Sequence, residues 1–270
     1  MGLEYKLGFI GGGNMAWAIA SGAVKAGLYT GQEIIASDIA RQRREIFANQ
    51  LSAKATENNS EVMQGAELVV LAVKPQQAKD VLAPLAGILG SEQLVISIMA
   101  GITTSSIEEM LGSKAVVVRA MPNLALSVGQ GMTAVAAGTH ARPEHVQAAC
   151  RLFDSCGKTV IVQEKQMHAV TAVSGSGPAY FFYFVEALIE AGIEAGLSQE
   201  QAEMLAKQTC LGAGKTLAQR SEDPAELRRQ VTSKGGTTAA ALEVMQQEKV
   251  GEIIGRAVSA AAKRSEELGK

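Results

Sequence analysis

Cysteine is scarce, and the three present, Cys150, Cys156 and Cys210, form no C-x-x-C pair. That excludes a disulfide framework and a cysteine-based metal site, and the thiols read as reduced, cytosolic and half-buried. No metal is expected. Charge of one sign is lacking too. The net charge is −2, so the basic footprint of a nucleic-acid or membrane-surface binder is missing. No apolar run approaches the ~18 residues of a membrane span, and the N-terminus MGLEYK has neither a signal-peptide core nor the Ser or Thr that myristoylation needs at Lys6. A cytoplasmic location is expected. Histidine is scarce as well: His140 and His145 flank an expected surface helix and His168 lies at a domain junction, so none is an obvious general acid. Hydrophobic residues, in contrast, make up 47% of the 270 positions, which supports a large core in one or two globular domains.

The stretch Lys6–Leu28, KLGFIGGGNMAWAIASGAVKAGL, organises the chain. An apolar run, Leu7–Ile10, is followed at once by Gly11, Gly12 and Gly13, and then by a helical pattern with Met15, Ile19, Gly22 and Ala23 on one face. The pattern Gly11-x-Gly13-x-x-Ala16 in strand–turn–helix context is a dinucleotide-binding turn. Gly11 gives the tight bend, Gly13 lets backbone approach a pyrophosphate, and Ala16 packs helix on strand. The helix N-terminus presents amides to the phosphates.

Strand and helix patterns then alternate. Strands are predicted at Glu33–Ser37, Glu67–Val73, Gln93–Ile98 and Ala115–Arg119, with helices at Arg41–Gln50, Pro75–Leu89 and Ser105–Leu111. This spacing predicts a doubly wound, mostly parallel α/β sheet. Met132–Ala137 and Thr159–Val162 add two edge strands around a helix at Glu144–Phe153. After Gln163 the pattern is helical throughout, with breaks at Gly196–Ser198, Ser221–Pro224 and Ser233–Gly236. The expected domains are 1–163, Rossmann-like, and 164–270, all-α. The many helix glycines suit either close packing against a second copy or packing within one bundle.

The chain after the second strand reads Ser37-Asp38-Ile39-Ala40-Arg41-Gln42-Arg43-Arg44. Asp38 is placed to hold the ribose hydroxyls of NAD; Ser37 with Arg41, Arg43 or Arg44 is placed to hold a 2′-phosphate. Both readings stand, with NADPH expected and NADH possible. Lys74, Ala100 and Gly101 follow later strands, where ligands of such sheets bind. Asn123, after Met121-Pro122, is a further polar candidate. In the second half, Ser233-Lys234-Gly235-Gly236-Thr237-Thr238 precedes a helix, with hydroxyls at its cap and amides free for a carboxylate. Hydride transfer needs alignment and polarisation rather than a nucleophile.

FIGGGNMA, LAVKP, SIMAGIT, RAMPN, AVSGSGPAY and LRRQVTSKGGTTAAALEV, in that order and spacing, resemble the Δ1-pyrroline-5-carboxylate reductases over nearly the whole chain. The resemblance implies NAD(P)H-dependent reduction of pyrroline-5-carboxylate to L-proline, with a helical domain that forms a homodimer, often within a decamer of five dimers. It implies that Gly11, Gly12, Gly13, Asn14 and Met15 hold the pyrophosphate, that Ser37 and Asn59 lie on the adenosine side, and that Val73, Lys74, Pro75, Ala100 and Gly101 lie along the nicotinamide ribose. It assigns the substrate carboxylate to Ser233, Gly235, Gly236 and Thr237, and the ring nitrogen to Thr238, with Glu222 near that nitrogen across the dimer; Thr238, Glu222 and Lys74 are the catalytic candidates. Leu124-Ala125 after Asn123 and Lys234 in the carboxylate loop depart from the family pattern. The β-hydroxyacid dehydrogenases are a rival: Gly175 and Gly177 fit their second motif, but Ala172 replaces its first glycine and Phe181 stands where its lysine belongs. A related imine reductase and a catalytically silent NADP-binding sensor are also compatible with the glycine turn.

Overall fold

The computed structural model describes residues 3–90, 93–112 and 114–269. Two compact units divide the chain. The first runs to Ser176 and takes back the C-terminal segment from Ser259; the second is Gly177–Val258.

In the first unit, among the described residues, eight strands form one sheet: β1 Tyr5–Ile10, β2 Ile34–Ser37, β3 Lys54–Thr56, β4 Ala66–Leu71, β5 Leu94–Ser97, β6 Val116–Met121, β7 Gly131–Ala137 and β8 Gly157–Ile161. Their spatial order is β3-β2-β1-β4-β5-β6-β7-β8. The first six are parallel, β7 runs antiparallel to β6, and β8 is parallel to β7. The central strands are buried on both faces, as their unbroken Val, Ile and Leu runs require. Helices α1 Asn14–Lys25, α2 Arg41–Leu51 and α6 Pro143–Asp154 cover one face; α3 Asn59–Gly65, α4 Ala78–Leu82 and α5 Thr104–Leu111 cover the other.

Three differences from the sequence pattern have local causes. β3 has no signal in the sequence, because KAT is only three residues long and carries no apolar run. Pro75–Leu89 is not one helix: a 3-10 turn at Pro75–Gln77 precedes α4, and a second at Ala83–Leu85 follows it, where Pro84 has no N–H to donate. β7 is not an edge, since β8 lies outside it.

The short helix α7 Met167–Val170 leads into a π-turn at Thr171–Gly175. The second unit then contains α8 Gly177–Glu194, α9 Gln199–Gln219, α10 Pro224–Gln230, α11 Thr237–Gln247 and the first half of α12 Val250–Glu267. Ser198 caps α9 with a capping box, as its position after Gly196 suggests. This unit has little core of its own. Ala202 and Ala206 are its buried hydrophobic side chains among the described residues, whereas Phe181, Phe182, Tyr183 and Phe184 are all half exposed or more. An apolar surface of this extent marks an association face. No helix among the described residues is long and apolar enough to cross a membrane.

Candidate functional site

The sheet reverses its strand order between β1 and β4, and the crevice outside their carboxyl ends is where such folds bind dinucleotides. Gly11 makes the bend there. Its φ is +97°, and a Cβ on it would stand 2.8 Å from the Ala72 carbonyl oxygen, so only glycine fits. Gly12 donates its amide to Asp38 Oδ2 at 2.8 Å. Gly13 has open space where a Cβ would be. It is also the N-cap of α1, with no side chain capping the helix and no acid in the first turn. The first amides of α1, from Asn14 and Met15 onward, are therefore donors without intrahelical partners. These features fit a pyrophosphate.

At the end of β2 the polar side chains have distinct tasks. Both Asp38 oxygens are engaged by backbone, Oδ2 by Gly12 and Oδ1 by the Ala40 amide at 2.8 Å. Asp38 thus braces the glycine turn. Ser37 is fully buried; its hydroxyl donates to Asn59 Oδ1 at 2.7 Å. Ser37 thus holds half-buried Asn59 in place at the end of β2. Asn59 lines a groove of about 300 Å³ together with Asn58, Gln77, Asp80, Val81 and Leu85. Of the three arginines, Arg41 pairs with Glu45 and Arg44 with the Asp38 and Ile39 carbonyls and Glu57. Arg43 alone of these reaches back over the glycine turn, donating to Asn14 Oδ1 at 2.8 Å.

Val73, Lys74 and Pro75 follow β4 at the same rim, with Val73 and Pro75 half-buried and Lys74 exposed. Ala100 and Gly101 follow β5, Gly101 with a φ of +82°. Asn123 braces its own turn: its Oδ1 accepts the amides of Ala125 and Met132, both at 3.2 Å, and its Nδ2 donates to Ser174 Oγ at 3.4 Å. Burial pushes the Cys156 thiol up. His168 Nδ1 shares a hydrogen bond with Ser265 Oγ at 3.0 Å.

In the second unit, Ser233–Thr238 forms a turn closed by the Gly236 amide on the Ser233 carbonyl at 3.1 Å. Gly235 has a φ of +72°, and a Cβ on Gly236 would strike Ser233 Oγ at 2.4 Å. The N-cap of α11 is Gly236, with no side-chain cap. The sequence pattern puts hydroxyls at that cap; instead Thr237 and Thr238 occupy the first helical turn, and its first amides have no side-chain cap. Glu222 is in an ion pair with Arg220, which also reaches Gln230. The Arg220 hydrogen bonds hold the Glu222 carboxyl down at about 2. It is a permanent anion at neutral pH and not an acid.

Residues 164–268 match the family model described as pyrroline-5-carboxylate reductase dimerisation, and residues 6–101 the one described as NADP oxidoreductase, coenzyme F420-dependent. A pyrroline-5-carboxylate reductase of Haemophilus influenzae is 42% identical over 269 residues, 98% of each chain. The chain belongs to the pyrroline-5-carboxylate reductases. Among solved structures, such an enzyme from Coxiella burnetii matches at a TM-score of 0.92 and 37% identity over 99% of both chains. A Plasmodium falciparum pyrroline carboxylate reductase with NADP bound matches at 0.88 and 31% over the full length of both. Arg119 and Glu164, whose side chains pair at 3.3 Å, are not foreshadowed in the sequence; 45 residues apart, they carry no local signal.

Proposed function

We propose that this reductase transfers hydride from NADPH to the C=N carbon of 1-pyrroline-5-carboxylate, giving L-proline. The observation that carries the reading is the family likeness over 98% of both chains, which takes in both units. NADH is the weaker candidate: Asp38 is occupied by backbone amides and Arg43 lies over the turn, a disposition that favours a 2′-phosphate. Bound in the crevice, the reduced nicotinamide supplies the hydride. The chain's own residues do the rest. Gly11–Met15 hold the pyrophosphate, Asn59 and Ser37 behind it the adenosine side, and Val73, Lys74, Pro75, Ala100 and Gly101 the nicotinamide ribose. The uncapped start of α11, with Ser233, Gly235, Gly236 and Thr237, holds the substrate carboxylate, and Thr238 orients the ring nitrogen. Glu222, fixed as an anion, favours a protonated iminium. We further infer a homodimer built on the apolar helices of the second unit, assembled as a decamer of five dimers, and a cytoplasmic location in keeping with three free thiols.

The test is turnover. Oxidation of NADPH dependent on pyrroline-5-carboxylate, with proline formed in equal amount, is expected. NADPH binding without turnover would instead make the chain a sensor. In Gly13→Val, a branched side chain fills the open face of the turn; NADPH binding should be lost while the circular dichroism spectrum stays that of the parent.

A further inference from the structure

The loop from β5 to α5, which carries Ala100 and Gly101, is fixed at three points. Ser97 Oγ accepts the Met99 amide at 3.3 Å. Gly101 and Gly269 touch backbone to backbone: a Cβ on Gly101 would stand 3.0 Å from Gly269 N, and one on Gly269 would stand 2.2 Å from the Gly101 oxygen. The third point is Glu164. Its two oxygens take the amide and the hydroxyl of Thr104, each at 2.7 Å. Thr104 opens α5, so the carboxylate also sits at the positive end of that helix.

Behind Glu164 stands Arg119, two residues before the end of β6 and in register with Ser97. It is 2% exposed, its Nη1 donates to Glu164 Oε1 at 3.3 Å, and its Nη2 has no partner among the described residues. A buried, incompletely satisfied ion pair is weak evidence of a stabilising role, because apolar residues of similar volume often serve stability as well or better. Its evident effect is geometric: it fixes where Thr104, and the loop ahead of it, must lie.

We propose that Glu164, oriented by Arg119, is a positioning residue for hydride transfer. It holds the Ala100–Gly101 wall in register with the nicotinamide end of the cofactor. This rests on the proposed placement of that loop along the nicotinamide ribose. Misplacement of a reacting group by about 1 Å from a distant change can cost about a hundredfold in rate, so a loosened wall acts on the chemical step before it acts on overall affinity.

Glu164→Gln keeps the shape and removes the charge; Thr104→Ala removes one hydrogen bond and leaves the ion pair. In the cofactor-free protein, the amides of residues 98–104 should exchange with deuterium faster in both variants. The NADPH dissociation constant, by fluorescence titration, should stay within about threefold of the parent, while kcat falls about tenfold in Glu164→Gln and less in Thr104→Ala. The isotope effect on kcat with 4-deuterated NADPH should rise in both, and Thr104→Ser should restore parental values. Unchanged exchange and unchanged isotope effects in the two variants would overturn the proposal, as would a loss of affinity as large as the loss of kcat. If Glu164→Gln does not fold, the Thr104 pair decides by the same readouts. A parent that fails to turn over pyrroline-5-carboxylate refutes the proposed function instead.

Discussion

Arg43 and Asp38 divide the end of β2 between an outward cation and an inward brace. Arg43→Ala should therefore lose about 1.5–3 kcal/mol with NADPH, the worth of a hydrogen bond to a charged group, which is about 10- to 150-fold in kcat/KM. Little should change with NADH, and Arg41→Ala should change neither; steady-state kinetics with both cofactors checks this. Thr238 contributes a neutral hydrogen bond, worth roughly 0.5–1.5 kcal/mol, plus the alignment it enforces. Thr238→Ala is expected to lower kcat/KM by about one to two orders of magnitude without loss of NADPH binding, and Thr238→Ser to recover most of it. Glu222 shows where pH enters. Its carboxyl is depressed to about 2 by Arg220, so its pairing stabilises the fold in full above the ordinary carboxylate range. That contribution declines as pH falls below that range and is gone once pH has passed through about 2. An acid limb in the activity profile of the parent near pH 5 cannot come from it. Arg220→Ala should let Glu222 titrate near its ordinary value and create such a limb, seen as falling kcat/KM below about pH 5.

At the scale of elements, α1 is both the phosphate-facing helix and a tightly packed one. A Cβ on Gly22 would stand 2.1 Å from Cys156 Sγ. Gly22→Ala should cost about 1–3 kcal/mol by overpacking, read as a lower urea midpoint, whereas Gly27→Ala meets no neighbour and suffers only from its positive φ. Most of this level is legible in the sequence. Runs such as ELVVLAV and AVVVR suit strands covered on both faces, and the glycine turn after Ile10 sets the topology that follows. What escapes is non-local or too short. β3 is defined by its pairing with β2 rather than by its own sequence. The π-turn in AVSGSGP has no periodic signature. The engagement of Asp38 with Gly12, which bears on the choice of cofactor, spans 26 residues. At α11 the residues are legible but their assignment shifts by one turn position, because Gly236 rather than a hydroxyl is the cap.

At the scale of the molecule, the second unit cannot be self-sufficient, since it leaves Phe181, Phe182, Tyr183 and Phe184 at 50% exposure or more. Phe182→Glu should yield smaller species in sedimentation velocity, with a melting temperature well below the parent's, because burial of one such side chain is worth about 1.5–3 kcal/mol. The first unit is not self-sufficient either. Its last pieces, Ser265 against His168 and Gly269 against Gly101, come from beyond the helical unit, which is inserted whole ahead of them. On the ribosome the Rossmann sheet can therefore assemble early but cannot lock. The loop after β5 meets Gly269 only once the chain of the association helices, which precedes it, has been made.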